Sequence, residues 1–357
     1  MKDLTDILIS PMLPLVRKLD PEQAHKLAID ALSLGVGVPA KRKKDDPALA
    51  VRTLGMRFPN PIGMAAGFDK NGRVIRPLAR IGFGFVEAGT VTPRPQAGNP
   101  KPRLFRLDED RAVINRMGFN NDGIDRFAVR LAKLQRGKGY HPGVPAGANL
   151  GINKVGADPE KDYPDLIRRV KHYVDYVVLN LSSPNTPGLR SLQGAERLTG
   201  LLAAISAVHE ERPPLLIKLA PDLAEEEIAP IVEAAVAGGA DGLIISNTTL
   251  ARPATLRSRF AAEAGGLSGR PLRERALTML REVARLVNGR LALIGCGGIE
   301  TGADVVDRIR AGADLVQVYS AFAYEGPALV GRLKHEVLGI MREQGVEYIG
   351  DLKGADL

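Results

Sequence analysis

The chain has 357 residues, 45% of them hydrophobic and 25% charged, with a formal net charge of +8. That is soluble globular composition, long enough for one large barrel or two ordinary domains. With no Trp and 4% aromatic residues it offers no base-stacking platform, so nucleic acid is not expected as a partner despite the positive charge.

The first forty residues differ from the rest. Leu4, Ile7, Leu8, Met12, Leu15, Val16 and Leu19 recur at helical spacing. Asp20-Pro21-Glu22 then starts a second helix, with Asp20 at the N-cap and Pro21 in the first helical position. Ala24, Leu27, Ala28, Ala31 and Leu32 give it an apolar face, and Gly35 and Gly37 end it. The basic run Lys41-Arg42-Lys43-Lys44 follows. Two amphipathic helices beside a basic run suit a membrane surface. A helical hairpin packed on the main domain, followed by a solvated charge run, is the plainer alternative. The expected division is a helical hairpin over 1–40 and a catalytic domain over 45–345.

From residue 51 short apolar segments end in Gly, Asn, Ser or Thr, and most are followed by helical periodicity. The pattern predicts strands near Pro61–Ala65, Gly84–Ala88, Gly147–Gly151, Tyr176–Leu181, Leu215–Leu219, Gly242–Ser246, Leu291–Gly295 and Leu315–Tyr319. It predicts helices over Asn71–Ile81, Pro159–Tyr173, Ala195–Glu210, Glu225–Gly238, Leu272–Val287, Thr301–Ala311 and Pro327–Gln344. Eight strands alternating with helices specify an α/β fold of the (β/α)8 TIM barrel type with a small N-terminal helical extension. A doubly wound sheet would carry a glycine fingerprint at its first strand–helix turn, and Ala65-Ala66-Gly67-Phe68-Asp69-Lys70 is not one. Residues 92–123, with Pro93, Pro95, Pro100 and Pro102, form a long loop or small insertion.

Metal and disulfide chemistry are not expected. Cys296 stands alone, and His25, His141, His172, His209 and His335 lack ligand spacing. No apolar run approaches the ~20 residues of a membrane span. No signal peptide is visible, because the stretch after Met1-Lys2-Asp3 is broken by Asp6, Pro11 and Pro14. A cytoplasmic protein is the expectation.

Barrel chemistry sits at the C-terminal strand ends. The segment Tyr176 to Gly188 is the most pointed case: a buried strand delivers Asn180, Ser183, Asn185 and Thr186 into a loop stiffened by Pro184 and Pro187. A turn whose polar side chains bond their own backbone would look similar. Elsewhere the strand ends carry Asp69 and Lys70, Thr90, Asn149, Ser246-Asn247-Thr248 and Tyr319-Ser320. Lys218 lies in the otherwise apolar run Leu215 to Leu219, which is costly unless an anion faces it. A structural ion pair is the other explanation. Gly297-Gly298, joined by Ser268-Gly269, suits a backbone phosphate site after the late strands. Phosphate, lysine and amides together suit flavin mononucleotide (FMN). Asn115, Asn185 and Asn247 suit a small planar heterocycle, and Lys70 its carboxylate. No catalytic His or carboxylate pair stands out, so hydrolysis is not favoured.

Four motifs appear in order: Ala66 to Gly72, Asn115 to Asn121, Asn180 to Thr186, and Gly265 to Gly269. Together they resemble dihydroorotate dehydrogenase, and the resemblance covers essentially the whole chain. Serine rather than cysteine at 183, with the helical N-terminus, is similar to the quinone-dependent, membrane-associated class 2 family. The resemblance implies an FMN-dependent oxidoreductase acting on a CH–CH group, converting dihydroorotate to orotate in pyrimidine synthesis. It implies Ser183 as the base at C5, with hydride passing from C6 to the flavin. Lys70, Asn115, Arg116, Met117, Gly118, Phe119, Asn180, Asn185, Asn247 and Thr248 would hold substrate. Ala66, Gly67, Phe68, Asp69, Lys70, Thr90, Asn149, Asn180, Lys218, Ser246, Gly269, Gly298, Tyr319 and Ser320 would hold FMN. His25 and Arg106 would line the mouth for ubiquinone or menaquinone. It further implies peripheral attachment to the cytoplasmic side of the cell membrane and no obligatory protein partner. A soluble class using fumarate or NAD would be expected to carry cysteine at 183 and to lack the N-terminal helices.

Overall fold

The apolar, β-branched runs of the sequence become strands buried along their whole length, as strands covered on both faces must be. The computed structural model describes residues 13–135, 142–186, 188–208 and 211–357. Of the first predicted helix, Leu4, Ile7, Leu8 and Met12 lie outside these residues, as do His141, Pro187 and His209.

Helices α1 (Leu13–Val16) and α2 (Pro21–Ser33) precede a hairpin of β1 (Val51–Thr53) and β2 (Met56–Phe58). The barrel strands are β3 (Ile62–Met64) and β4 (Phe85–Val91) and, after the excursion strands β5 (Leu104–Leu107) and β6 (Ala112–Asn115), β7 (Ala146–Leu150), β8 (Tyr176–Asn180), β9 (Leu215–Leu219) and β10 (Gly242–Ile245). Beyond β11 (Gly266–Gly269), β12 (Ala292–Cys296) and β13 (Leu315–Val318) complete it. These eight parallel strands close in the order β10-β12-β13-β3-β4-β7-β8-β9. All eight predicted strands are present. Large rings fill the barrel interior because two strands give up their side chains. A Cβ on Gly63 would lie 2.3 Å from the Phe85 ring, and one on Gly147 2.2 Å from the Tyr176 ring.

The long excursion is a sheet element rather than a bare loop. Strands β5 and β6 pair antiparallel, and β11, from a distant connection, pairs with β6. This three-stranded sheet has its own apolar cluster of Phe105, Leu107, Ala112, Ile114 and Leu267. A further helix, Ile124–Gln135, links it to β7.

Asp20 caps α2 as its sequence requires, accepting from Glu22 N at 3.0 Å and Gln23 N at 3.1 Å. Ile29 and Leu32 of α2 join the barrel's hydrophobic core. The helix is fastened to β5's approach by a bidentate pair, Arg103 Nη2 to Glu22 Oε1 at 2.7 Å and Arg103 Nε to Oε2 at 3.1 Å. Asp45 ties the following linker to the barrel through Lys334 at 2.7 Å.

Candidate active site

A cavity of about 450 Å³ runs from the C-terminal strand ends to the space between α1 and α2. Lys70, Thr90, Asn180, Ser183, Lys218, Ser246, Asn247, Tyr319 and Ser320 line one end, and Ala24, His25, Ala28 and Arg106 line the other. The predicted site residues therefore share one space, with three exceptions. Asn149 lies beneath the wall, bonded to residues that line it. Asp69 turns away to accept from Arg73 N at 2.8 Å and Val74 N at 2.6 Å. Arg116 points outward, donating to Glu263 at 2.7 Å with its guanidinium 4.6 Å over the Phe105 ring.

The wall is a connected amide network. Asn180 Nδ2 donates to Thr90 Oγ1 at 2.9 Å and to Asn149 Oδ1 at 3.1 Å. Asn247 Nδ2 donates to Ser182 Oγ at 2.8 Å. Asn185 Nδ2 donates to the Asn115 carbonyl at 3.2 Å, bringing the excursion against the β8 loop. Arg190 clamps that loop to the one after β10: it donates to Ser182 O and Thr248 O, both at 3.1 Å, and pairs with Asp222 at 2.8 Å. Arg190 was not legible as a site residue, since only the fold brings its partners together.

Ser183 is buried, and its Oγ accepts from Asn185 N at 3.3 Å. Thr186 is also buried, with Oγ1 lacking a hydrogen-bond partner among the described residues. Phe119 holds a φ of 52°, uncommon for a bulky side chain, and its ring packs by Thr90 and Gly151. Burial, against the attraction of Glu22, brings the Lys70 ammonium down to about 8, so it is poised to gain from an incoming anion.

At the late strands the backbone forms a cradle. Gly298 has a φ of 71°, and a Cβ there would sit 2.3 Å from the Arg273 Cα. A Cβ on Gly269, φ 94°, would sit 2.4 Å from Arg111 O. Ser320 Oγ donates to Ser268 Oγ at 2.9 Å beside them. Such close backbone, with small hydroxyls, fits a phosphate.

At the other end His25 Nε2 donates to Phe68 O at 2.8 Å. Burial and the Lys70 charge lower its pKa to about 4, so it is neutral near pH 7. Arg106 donates to the Arg17 carbonyl. Two further groups were missed in the sequence: Glu87, fully buried in β4, and Gln317 of β13, whose Nε2 donates to Glu87 at 2.6 Å. A carboxylate in an apolar strand is the same signal that marked Lys218.

The family model described as dihydroorotate dehydrogenase matches residues 48–341. The dihydroorotate dehydrogenase (quinone) of Rhodospirillum rubrum is 53% identical over 348 residues, covering 96% of this chain and 93% of that protein. The protein of the same name from Xanthobacter autotrophicus is 50% identical over 351 residues, covering 96% and 98%. The solved structure of DHODH in complex with ferulenol from Eimeria tenella superposes with a TM-score of 0.91 at 42% identity, covering 94% of this chain and 96% of that one.

Proposed function

The chain belongs to the dihydroorotate dehydrogenase family, and on that premise we propose that FMN lies at the strand ends, dihydroorotate over Ser183, and a quinone between α1 and α2. The enzyme oxidises dihydroorotate to orotate in pyrimidine biosynthesis with a quinone as acceptor, and it is flavin-dependent. The observation that carries the assignment of places is the continuity of one cavity, which joins Ser183, Lys218, the glycine cradle and the α2 helix face.

The residues present fit FMN. The cradle of Gly269, Gly298 and Ser320 would take the phosphate, and Ala66 to Phe68, Thr90, Asn180, Lys218, Ser246 and Tyr319 the ring, with Asn149 and Asp69 supporting from behind. When bound, the flavin supplies a two-electron sink, accepting hydride from the substrate's C6 and passing the electrons on to the quinone. Ser183 Oγ receives the C5 proton. A serine hydroxyl is too weak a base alone, so the proton needs an exit, and the unpartnered Thr186 hydroxyl three residues on is suited to that relay. The Lys70 ammonium meets the substrate carboxylate. Asn115, Asn185, Asn247 and Thr248 offer alternating donors and acceptors to its ring, with Met117, Gly118 and Phe119 closing over it. The Lys218 ammonium offsets charge that builds in the cavity. Arg116 contributes by holding the Asn115 segment against Glu263.

His25, Arg106 and the apolar face of α2 form the acceptor's entrance, for ubiquinone or menaquinone. Leu15, Leu19, Leu27, Leu34 and Val36 are exposed around it. Among the described residues no helix is long and apolar enough to cross a membrane. An exposed apolar rim beside Lys41, Lys43 and Lys44 supports peripheral attachment to the cytoplasmic face of the cell membrane, without an obligatory protein partner. A visible spectrum tests the reading. Dihydroorotate added without oxygen should bleach a flavin band, and a soluble quinone, but not fumarate or NAD, should restore it. A protein that neither shows nor takes up FMN would sink the assignment.

A further inference from the structure

Three amides in and behind the cavity wall, Asn247, Asn180 and Asn149, face one way. Asn247 Nδ2 donates to Ser182 Oγ at 2.8 Å and to Asn180 Oδ1 at 3.3 Å, and Ser182 Oγ donates to Asn180 Oδ1 at 3.3 Å. Asn180 Nδ2 donates to Asn149 Oδ1 at 3.1 Å, and Thr90 Oγ1 to the same oxygen at 2.5 Å. Asn149 Nδ2 then donates to Glu87 Oε1 at 2.7 Å. The chain of donors thus ends on one carboxylate, which has no exposure to solvent. Its other oxygen accepts from Gln317 Nε2 at 2.6 Å.

An ionised carboxylate only accepts, so it obliges both amides to turn their NH2 groups towards it and their carbonyls away. A buried carboxylate is expensive, and an ordinary barrel interior would hold an apolar residue there. Burial raises the Glu87 pKa, while the Lys218 charge and the hydrogen bonds from Gln317 and Asn149 favour its anion.

We propose that Glu87 is a positioning residue of the flavin site: as terminal acceptor it fixes which wall atoms donate, and as buried anion it opposes Lys218 and lowers the bound flavin's reduction potential. This rests on the reading that the cavity holds a flavin. It concerns a residue that does not line the cavity.

The test is an anaerobic redox titration of FMN-loaded parent, E87Q and E87D against a reference dye, with FMN affinity measured alongside by fluorescence. In E87Q the charge is gone, so the enzyme's preference for reduced over oxidised flavin should rise at least about tenfold, a shift of about 30 mV for a two-electron couple. The glutamine can be accommodated, because Gln317 Oε1 has no hydrogen-bond partner among the described residues and can turn to accept from it. E87D keeps the charge but withdraws it by one methylene, so its shift should have the same sign and be smaller. If E87Q does not fold, E87D against the parent decides. Potentials equal to the parent's in the folded variants would overturn the proposal. A parent that takes up no FMN would instead remove the cavity reading itself, which is a different and recognisable failure.

Discussion

Replacing Glu22 with alanine should loosen α2 from the barrel while leaving the hydrogen bonds around Ser183 in place. Glu22 and Arg103 are 16% and 7% exposed and share a bidentate contact, with Lys101 a further 3.4 Å partner. A fully buried pair broken from one side costs about 3–5 kcal/mol. Here Arg103 keeps Ala97 O at 2.7 Å and Asn99 O at 2.8 Å, so its charge is not abandoned. The loss is then nearer that of a charge-assisted hydrogen bond, about 2 kcal/mol. If quinone binds only the docked helix, its apparent affinity falls by at most roughly 30-fold. Stopped-flow absorbance separates the half-reactions. Anaerobic bleaching by saturating dihydroorotate should stay within about twofold of the parent, because Glu22 shares no hydrogen-bond partner with Ser183, while loss of its attraction for Lys70 should raise the dihydroorotate concentration needed to saturate. Recovery of the flavin band by a soluble quinone should need far more quinone. Equal slowing of both half-reactions, or of neither, would refute the idea that α2 serves the acceptor alone. A pH corollary carries a definite sign. Burial would raise the Glu22 pKa, but Arg103 and then Lys101 bring it below the ordinary 4.5. Its stabilising contribution is therefore present above 4.5 and lost as pH falls from there through the lower folded value, and E22Q should lack that component.

S183A should lower kcat by about 10²–10⁴ while orotate affinity, read from flavin absorbance, barely moves; a kcat within tenfold of the parent would remove Ser183 as the base. Lys70 carries its proton below about 8, so orotate affinity should be flat at lower pH and fall about tenfold per unit above it. K70Q should bind weakly with no such break, and a parent without the break would contradict the ammonium–carboxylate contact. G298A must place a Cβ 2.3 Å from the Arg273 Cα, so FMN affinity, followed by fluorescence, should fall by at least about tenfold in a folded protein. Burial and Lys70 hold His25 at about 4 against an ordinary 6.5, so the unfolded chain takes up a proton first, and stability should decline as pH falls across that interval. H25Q should flatten that slope in denaturant titrations at several pH values; an unchanged slope would show that His25 is not the group responsible.

The barrel was legible because its signal is local. The run Leu215–Leu219 is bounded in the fold where its apolar residues begin and end. Strand β4 runs on to Val91, past the expected Ala88, because Val91 still pairs with Leu150 across an irregularity at Gly89. The helix expected from Asn71 begins at Ile75, since the Asp69 carboxylate first holds the turn at Arg73 and Val74. The three-stranded sheet was not legible: β11 meets β6 across a long stretch of sequence, and nothing local announces such a pairing. In the site, residue type and strand-end position gathered most of the cavity lining. Side-chain direction was beyond reach, which is why Arg116, inside a site motif, faces Glu263 instead. Glu87 carried a signal that was there to be read: it interrupts the apolar run Phe85 to Ala88 just as Lys218 interrupts Leu215 to Leu219, and only its partners had to wait for the fold.

The roof over the His25 end of the cavity is written as one uninterrupted stretch, from α1 to the linker at Asp45, ahead of the 48–341 region that the family model spans. Its polar fastenings, among the described residues, include Glu22 with Arg103 and Lys101, Asp30 with Arg73, the Arg17 carbonyl with Arg106, His25 with the Phe68 carbonyl, Arg42 with the Phe83 carbonyl, and Asp45 with Asn60 and Lys334. The barrel beneath takes its strands in chain order and closes last against first, so its wall stands as a unit. On the proposed placing of the quinone, the stretch ahead of residue 48 supplies His25 and the α2 face of the entrance while Arg106 of β5 supplies the facing side, so exchanging that stretch alone would reshape the outlet and leave Ser183 and Lys70 where they are.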